Sequence, residues 1–376
     1  MLSKISNKYS YYPYSVKGRC SVLVTFRPLT TITPLQSASL WITVIGVSNH
    51  VLIMPILLDA AGRDAWIGAL LAFPLMLLWC GLLWFIMGKI NDSLVPWIKK
   101  KTNTAIAIGA ALIYTVYYLV MASFDMQDTL QWTKTAYLPQ TPIWFTSAFL
   151  VGCAYITAKK GIVTIAITNG ILLPFIIVFG LYVMTVNFQV KDYHYLLPIG
   201  THSFSDICMA ALFTAAGISG MIFIVFVSDD MKGKLKKRHY AISLLLLIEL
   251  TIGPLVGAIA TFGPVEAASM SFPAFEQWRM ASVGNVIAQT DFLSIYQWLA
   301  GIFIRLSLAL YIFQKLWGQK ALPYLTLLLY FASCIGRFNI DFEKASALMY
   351  LSALVLNVTF TIFLFILCQI KKKEVS

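Results

Sequence analysis

Two short stretches hold residues able to bind a small charged ligand, and each sits inside an otherwise apolar run. One is Gly46-Val47-Ser48-Asn49-His50; the other is Ala215-Ala216-Gly217-Ile218-Ser219-Gly220. Glycine in a helix interior costs about 1 kcal/mol relative to alanine. Gly217, Ser219 and Gly220 together are therefore poor filling for continuous helix. Inside a bilayer, backbone released from helical pairing must be buried in protein or line a cavity. A pair of such interruptions suits a zwitterion: amide ends of half-helices face a carboxylate, and carbonyl ends face an ammonium or a cation. Gly46, Ser48, Asn49, Ala216, Gly217, Ser219 and Gly220 are the candidate substrate-binding residues of these stretches. Close helix packing through small residues is the competing use of the same positions.

Arg305 stands in the middle of IYQWLAGIFIRLSLALY. An arginine in hydrocarbon costs at least a few kcal/mol and must face protein or water. It could neutralise a substrate carboxylate, or pair with Glu249, the acid set well inside LLLIELTIGPLVG. Tyr118, beside Tyr114 and Tyr117, could wall a pocket, whereas Asp125 and Asp128 at the outer end of the same run are expected in solvent. No P-loop, nucleophile elbow, catalytic carboxylate pair or zinc spacing occurs, so neither an enzyme nor a metal or cofactor site is expected. The six cysteines are scattered singly, as apolar fillers are, and the four histidines form no cluster.

The elements that position these residues follow from composition. Of 376 residues, 59% are hydrophobic and 12% charged, with a mean hydropathy of +0.78. A soluble globule of this length could not hide that much apolar surface. The expected fold is an all-α polytopic membrane protein of about ten transmembrane helices. The apolar runs lie near 35–57, 66–87, 104–124, 143–158, 162–185, 204–228, 239–262, 292–314, 320–337 and 345–370. Thr33-Pro34-Leu35-Gln36 reads as a capping box with proline at the first helical position. Residues 1–33 form a basic tail expected in the cytosol against anionic lipid, and 371–376 a basic C-terminus.

The net charge of +12 is a topology signal, not a nucleic-acid surface. Of 28 basic residues, Arg63, Lys134, Lys191, Arg279, Arg337 and Lys344 fall in one set of loops, and Arg305 lies within a span. The remaining twenty-one fall in the other set, with both termini. By the positive-inside rule that set is cytosolic. Ten spans divide into repeats 35–185 and 204–370 within a membrane domain 34–370. Five spans each is an odd number, so the second repeat is inverted, and both interruptions fall in an opening helix. The expectation is a 5+5 inverted repeat with broken first and sixth helices.

The chain also resembles the B subunit of spore germinant receptors, the spore-germination permeases of the amino acid–polyamine–organocation superfamily. The resemblance runs over about 34–340. It rests on Thr33-Pro34-Leu35-Gln36, Ala61-Gly62-Arg63-Asp64-Ala65-Trp66, Leu138-Pro139 with Thr141-Pro142-Ile143-Trp144, and Ala158-Lys159-Lys160-Gly161. It continues in Leu197-Pro198, Phe262-Gly263-Pro264 and Ser271-Phe272-Pro273. It implies a subunit that senses a small-molecule germinant, often an amino acid, in the spore inner membrane, assembled with an A subunit and a lipoprotein C subunit. The family usually starts close to the first helix, unlike this chain with its long tail. It also tends to carry an acid just after the glycine of its sixth helix, where Ser219 stands here. Loss of that acid favours a receptor over an amino acid transporter coupled to H⁺ or Na⁺. An ion channel would need a continuous polar pore, which the sequence does not trace.

Overall fold

The computed structural model describes residues 30–90, 92–282, 290–335 and 342–370. The basic tail up to residue 29, the C-terminal 371–376 and Arg337 lie outside the described residues. Among the described residues the chain is predominantly helical and has no strand. Its helices are α1 (Pro34–Val47), α2 (Met54–Ala61), α3 (Ala65–Lys89), α4 (Leu94–Lys101), α5 (Thr104–Ala136), α6 (Ile143–Lys160) and α7 (Ile162–Val186). There follow α8 (Phe204–Ser219), α9 (Lys237–Phe262), α10 (Pro264–Ser269), α11 (Pro273–Met280), α12 (Phe292–Trp317), α13 (Leu322–Cys334) and α14 (Phe342–Gln369).

Local chemistry sets the helix starts. Thr33 and Gln36 form the expected capping box, Gln36 N–H donating to Thr33 Oγ1 at 3.2 Å and Thr33 N–H to Gln36 Oε1 at 2.8 Å. Asn103 caps α5, and Ser203 with Asp206 makes a second capping box at α8. Pro34, Pro264 and Pro273 open helices where no N–H is needed. Seven helical stretches are long and apolar enough to cross a membrane, and α13 is a shorter apolar helix. The chain is an all-α, multi-pass membrane protein.

Each of the ten apolar runs forms a helix or a helix pair, in order α1 with α2, α3, α5, α6, α7, α8, α9, α12, α13 and α14. Their packing comes in matched sets. Counting spans in chain order, the first packs on the seventh and the sixth on the second. The fourth packs on the eighth and the ninth on the third; the fifth packs on the first and the tenth on the sixth. The sixth span is the most enclosed of the seven long ones.

One face of the molecule is basic and carries Lys99–Lys101 and Lys315. There Lys315 pairs with Asp229 at 2.5 Å and Asp230 at 3.3 Å, Ser93 donates to Asp229, and Tyr311 donates to Asp230 at 2.8 Å. Ile32 adds two backbone bonds of 2.8 Å, to Asp230 and from Lys232. At the opposite face, buried Asp64 accepts from Gly200 N–H at 3.0 Å, His202 N–H at 2.9 Å and Thr201 Oγ1 at 2.9 Å. That cradle ties the turn before α3 to the segment leading into α8.

Candidate functional site

Both interruptions occur, but as changes of helix type and not as extended backbone. In the first span α1 passes into a π-helical turn, Ser48–Leu52, with Ile53 N–H bonded to Ser48 O at 2.9 Å. Ser48 N–H closes on Ile45 O, which leaves the Val44 carbonyl without its usual helical donor. In the sixth span α8 passes into a 3-10 helix, Gly220–Asp230, with a non-helical residue at Val227. Gly220 N–H turns to Gly217 and Ile218, so the Ala216 carbonyl is released in the same way. Changing helix type frees one carbonyl at a time, which a side chain can cap. A fully unwound segment would expose many more groups to hydrocarbon.

Arg305 caps the first of these carbonyls, Nη1 donating to Val44 O at 2.9 Å. Its Nε donates to Asp125 Oδ2 at 2.5 Å. Of the two uses open to Arg305, a substrate carboxylate or a pair with Glu249, the structure shows neither: its carboxylate partner is Asp125. Asp125, expected in solvent, is only 2% exposed. The long α5 carries it beyond the apolar run into the protein interior, where a carboxylate needs a charge partner. A guanidinium at the carbonyl end of a half-helix is also favoured by the helix dipole.

Ser219 Oγ caps the second carbonyl, donating to Ala216 O at 2.6 Å and accepting from Asn357 Nδ2 at 2.9 Å. Asn357 Nδ2 also reaches Tyr117 OH at 3.2 Å, and Asn357 Oδ1 accepts from Tyr114 OH at 3.1 Å. Ser48 Oγ meets Tyr350 OH at 2.9 Å. Asn49 Nδ2 donates to Thr251 Oγ1 at 3.2 Å and reaches Thr214 O at 3.4 Å. Asn49 Oδ1 lies so close to Gly217 that a side chain there would overlap it. Gly220 is packed against Ile45, whose Cδ1 would stand 2.8 Å from an added Cβ.

A cavity of about 340 Å³ opens on the other side of the first span, among α1, α7, α9, α11 and α12. Leu173, Ile176, Phe275, Trp278 and Trp298 supply apolar wall, and Thr43, Gln277 and Gln297 supply neutral polar groups. Glu249 and Lys191 also line it. Glu249 Oε1 would lie 3.5 Å from a Cβ at Gly253, and Lys191 Nζ 3.6 Å from one at Gly257. Glu249 thus lies beside Gly253 and Lys191 beside Gly257, one helical turn further along α9. Burial holds the Lys191 ammonium below the usual lysine pKa. Pro254 has no N–H for the Leu250 carbonyl, which meets His50 Nδ1 at 3.3 Å instead.

The structure divides the nine candidate residues. Gly46 lines the cavity with Val47, His50 and Val51. Ser48, Asn49, Ala216, Gly217, Ser219 and Gly220 are brought together in a packed seam where the first and sixth spans cross. Tyr118 packs its ring on Tyr114, Tyr117 and Phe226 beside that seam, and its hydroxyl is buried without a partner. Arg305 lies beneath, engaged by Asp125 and Val44. Sequence reading missed Lys191, Tyr350 and Asn357. A lone asparagine in LSALVLNVTF and a lysine just past an apolar run were the available signals. Among the described residues no cluster of three or more metal-ligating side chains occurs.

Comparison with known proteins agrees with this architecture. Residues 31–319 match the model of a permease family described as "Spore germination protein". The chain is 35% identical over 269 residues to Spore germination protein XB of Bacillus anthracis, covering 71% of this chain and 75% of that protein. A multi-pass helical body matched over most of its length by that model places the chain in the spore germination permease family.

Proposed function

We propose that this chain is the germinant-sensing subunit of a spore nutrient receptor and binds a zwitterionic amino acid in the cavity beside the first helix break. The observation that carries this reading is the presence of two opposite charges, Glu249 and Lys191, on the wall of a mostly apolar cavity. Glu249 would take the ammonium and Lys191 the carboxylate, while Trp278, Trp298 and Phe275 receive the side chain. Few, well-placed polar groups on an apolar wall are the usual make-up of a small-molecule site. The role is non-enzymatic. Family membership supports a place in a receptor with an A subunit and a lipoprotein C subunit in the spore inner membrane. The matched helix pairings support two inverted five-span repeats, and the distribution of basic residues supports a cytosolic side for both termini.

The test is binding of a panel of the common amino acids to the purified protein in lipid nanodiscs, read by thermal shift and calorimetry. At least one should bind, and Glu249→Gln and Lys191→Met should each weaken it by about tenfold or more, the equivalent of about 1.4 kcal/mol. Absence of binding to the parent protein, or unchanged affinity in both variants, would overturn the reading. Uptake of the bound amino acid into proteoliposomes, driven by a proton or sodium gradient, would make the chain a transporter instead of a sensor.

A further inference from the structure

α14 contacts both helix breaks at once. Tyr350 and Asn357 are seven residues apart, which puts them on one face of the helix about two turns from each other. Tyr350 OH meets Ser48 Oγ, in the π turn of the first span, at 2.9 Å. Asn357 Nδ2 donates to Ser219 Oγ, at the 3-10 transition of the sixth span, at 2.9 Å. The opposite side of α14 looks outward, with Leu348 and Val355 exposed. Tyr350 and Asn357 are thus placed where the two breaks meet the helix.

The chemistry at Asn357 is fully committed. Its amide donates to Ser219 and Tyr117, and its oxygen accepts from Tyr114. Because Ser219 spends its own proton on the Ala216 carbonyl, it can only accept from Asn357. The hydrogen bonds thus run in one direction, from Tyr114 to Asn357 to Ser219 to the carbonyl released by the helix change. Altering the helix type at Ser219–Gly220 would re-form the Ala216 bond within the helix and strand this chain, which favours one state or the other and not an intermediate. At the other break, Gly46, Val47, His50 and Val51 line the cavity while Ser48 of the same turn bonds Tyr350. Pressure on the cavity side of that turn is felt directly at Tyr350.

We propose that Tyr350 and Asn357 are positioning residues that make α14 the coupler between the two breaks, so that a change at the cavity-lining break is passed to the sixth span. The link to sensing rests on the cavity being the germinant site; the coupling itself does not.

The experiment measures hydrogen exchange on the purified, ligand-free protein in phosphatidylethanolamine–phosphatidylglycerol nanodiscs. Tyr350→Phe removes one hydroxyl that touches only the first break. It should speed exchange in the peptide over 214–222 by about threefold or more, as expected when a local opening equilibrium shifts. Asn357→Leu should do the reciprocal in the peptide over 44–53. Exchange changes confined to the peptides that touch each replaced side chain would overturn the proposal. A second measurement needs no exchange data: Ser219→Ala and Asn357→Leu should be non-additive in thermal stability, whereas additive effects would refute the directed chain. In spores given a mixture of the common amino acids, Tyr350→Phe should lower the maximal germination rate more than it raises the half-maximal concentration. The reverse split would show that Tyr350 serves binding and not coupling. Failure of Glu249→Gln to weaken amino acid binding would count against the cavity reading alone.

Discussion

Arg305 Nε lies 2.5 Å from Asp125 Oδ2, joining α12 to α5, while the same guanidinium caps the Val44 carbonyl of α1. One side chain thereby holds three spans together at the first break. Its charge is fully used inside the protein, by a carboxylate and a helix-end carbonyl.

Breaking that pair should be costly and removing it less so. Arg305→Met leaves Asp125 buried and unpaired, and Asp125→Leu leaves Arg305 so; each should destabilise by about 3–5 kcal/mol. The double variant should recover most of this, short of about 1–3 kcal/mol for the Val44 carbonyl that remains uncapped. Unfolding in detergent, with membrane abundance by immunoblot, gives the comparison. A double variant no better than either single would mean that the pair is not the source of the loss.

Gly217 should tolerate no side chain. A methyl group there meets Asn49 Oδ1, so Gly217→Ala should cost about 1–3 kcal/mol through overpacking. Gly81→Ala, where a Cβ meets nothing within 4 Å, is the control and should be neutral. Asn49→Ala combined with Gly217→Ala should relieve the overlap at the expense of the Thr251 hydrogen bond. Thermal melting decides, and normal stability of Gly217→Ala would mean that the seam is looser than this contact implies.

Lys191 predicts an alkaline limit to ligand binding. Burial disfavours its charged form and lowers its pKa, so on raising the pH it loses its proton before an ordinary lysine does. Affinity for a carboxylate should be full at pH values below that lowered pKa and fall as the pH rises through it. Lys191→Arg should move the fall to higher pH, since guanidinium keeps its charge. Calorimetric titration of an amino acid across neutral to alkaline pH would show this. An identical limb in the parent and the arginine variant would remove Lys191 from the site.

Orientation is testable by cysteine labelling in intact membranes. Residues near Lys99 and Lys234 should react only from the cytosolic side, and those near Lys134 and Glu266 only from the other. Labelling of the segment 232–236 from outside would overturn both the orientation and the inverted repeat.

Much of the architecture was legible before any distance was known. Hydropathy marks the ten apolar runs, and Thr33 and Gln36 mark the first helix start. Gly46–His50 and Ala215–Gly220 were visible as weak points because glycine and serine are poor helix filling wherever they stand. These are properties of one residue or one short window, and solvent alone imposes them: a bilayer selects apolar length, and a capped helix end needs only its neighbours in sequence.

Which residue meets which was decided by packing. In the sequence Arg305 was open to Glu249 or a substrate carboxylate; the packing of α12 against α5 set it on Asp125 and left Glu249 to line the cavity. Ser48 and Gly46 are two positions apart, yet the helix turns one toward Tyr350 and the other toward the cavity. The seam at Asn49 and Gly217 joins residues far apart in the chain through a contact that has no trace in local composition. A membrane helix presents every side chain to lipid, to protein or to a cavity according to its rotation about its own axis. That rotation is set by its neighbours, so the sequence by itself determined the spans and their weak points, and only the tertiary structure decided what those weak points touch.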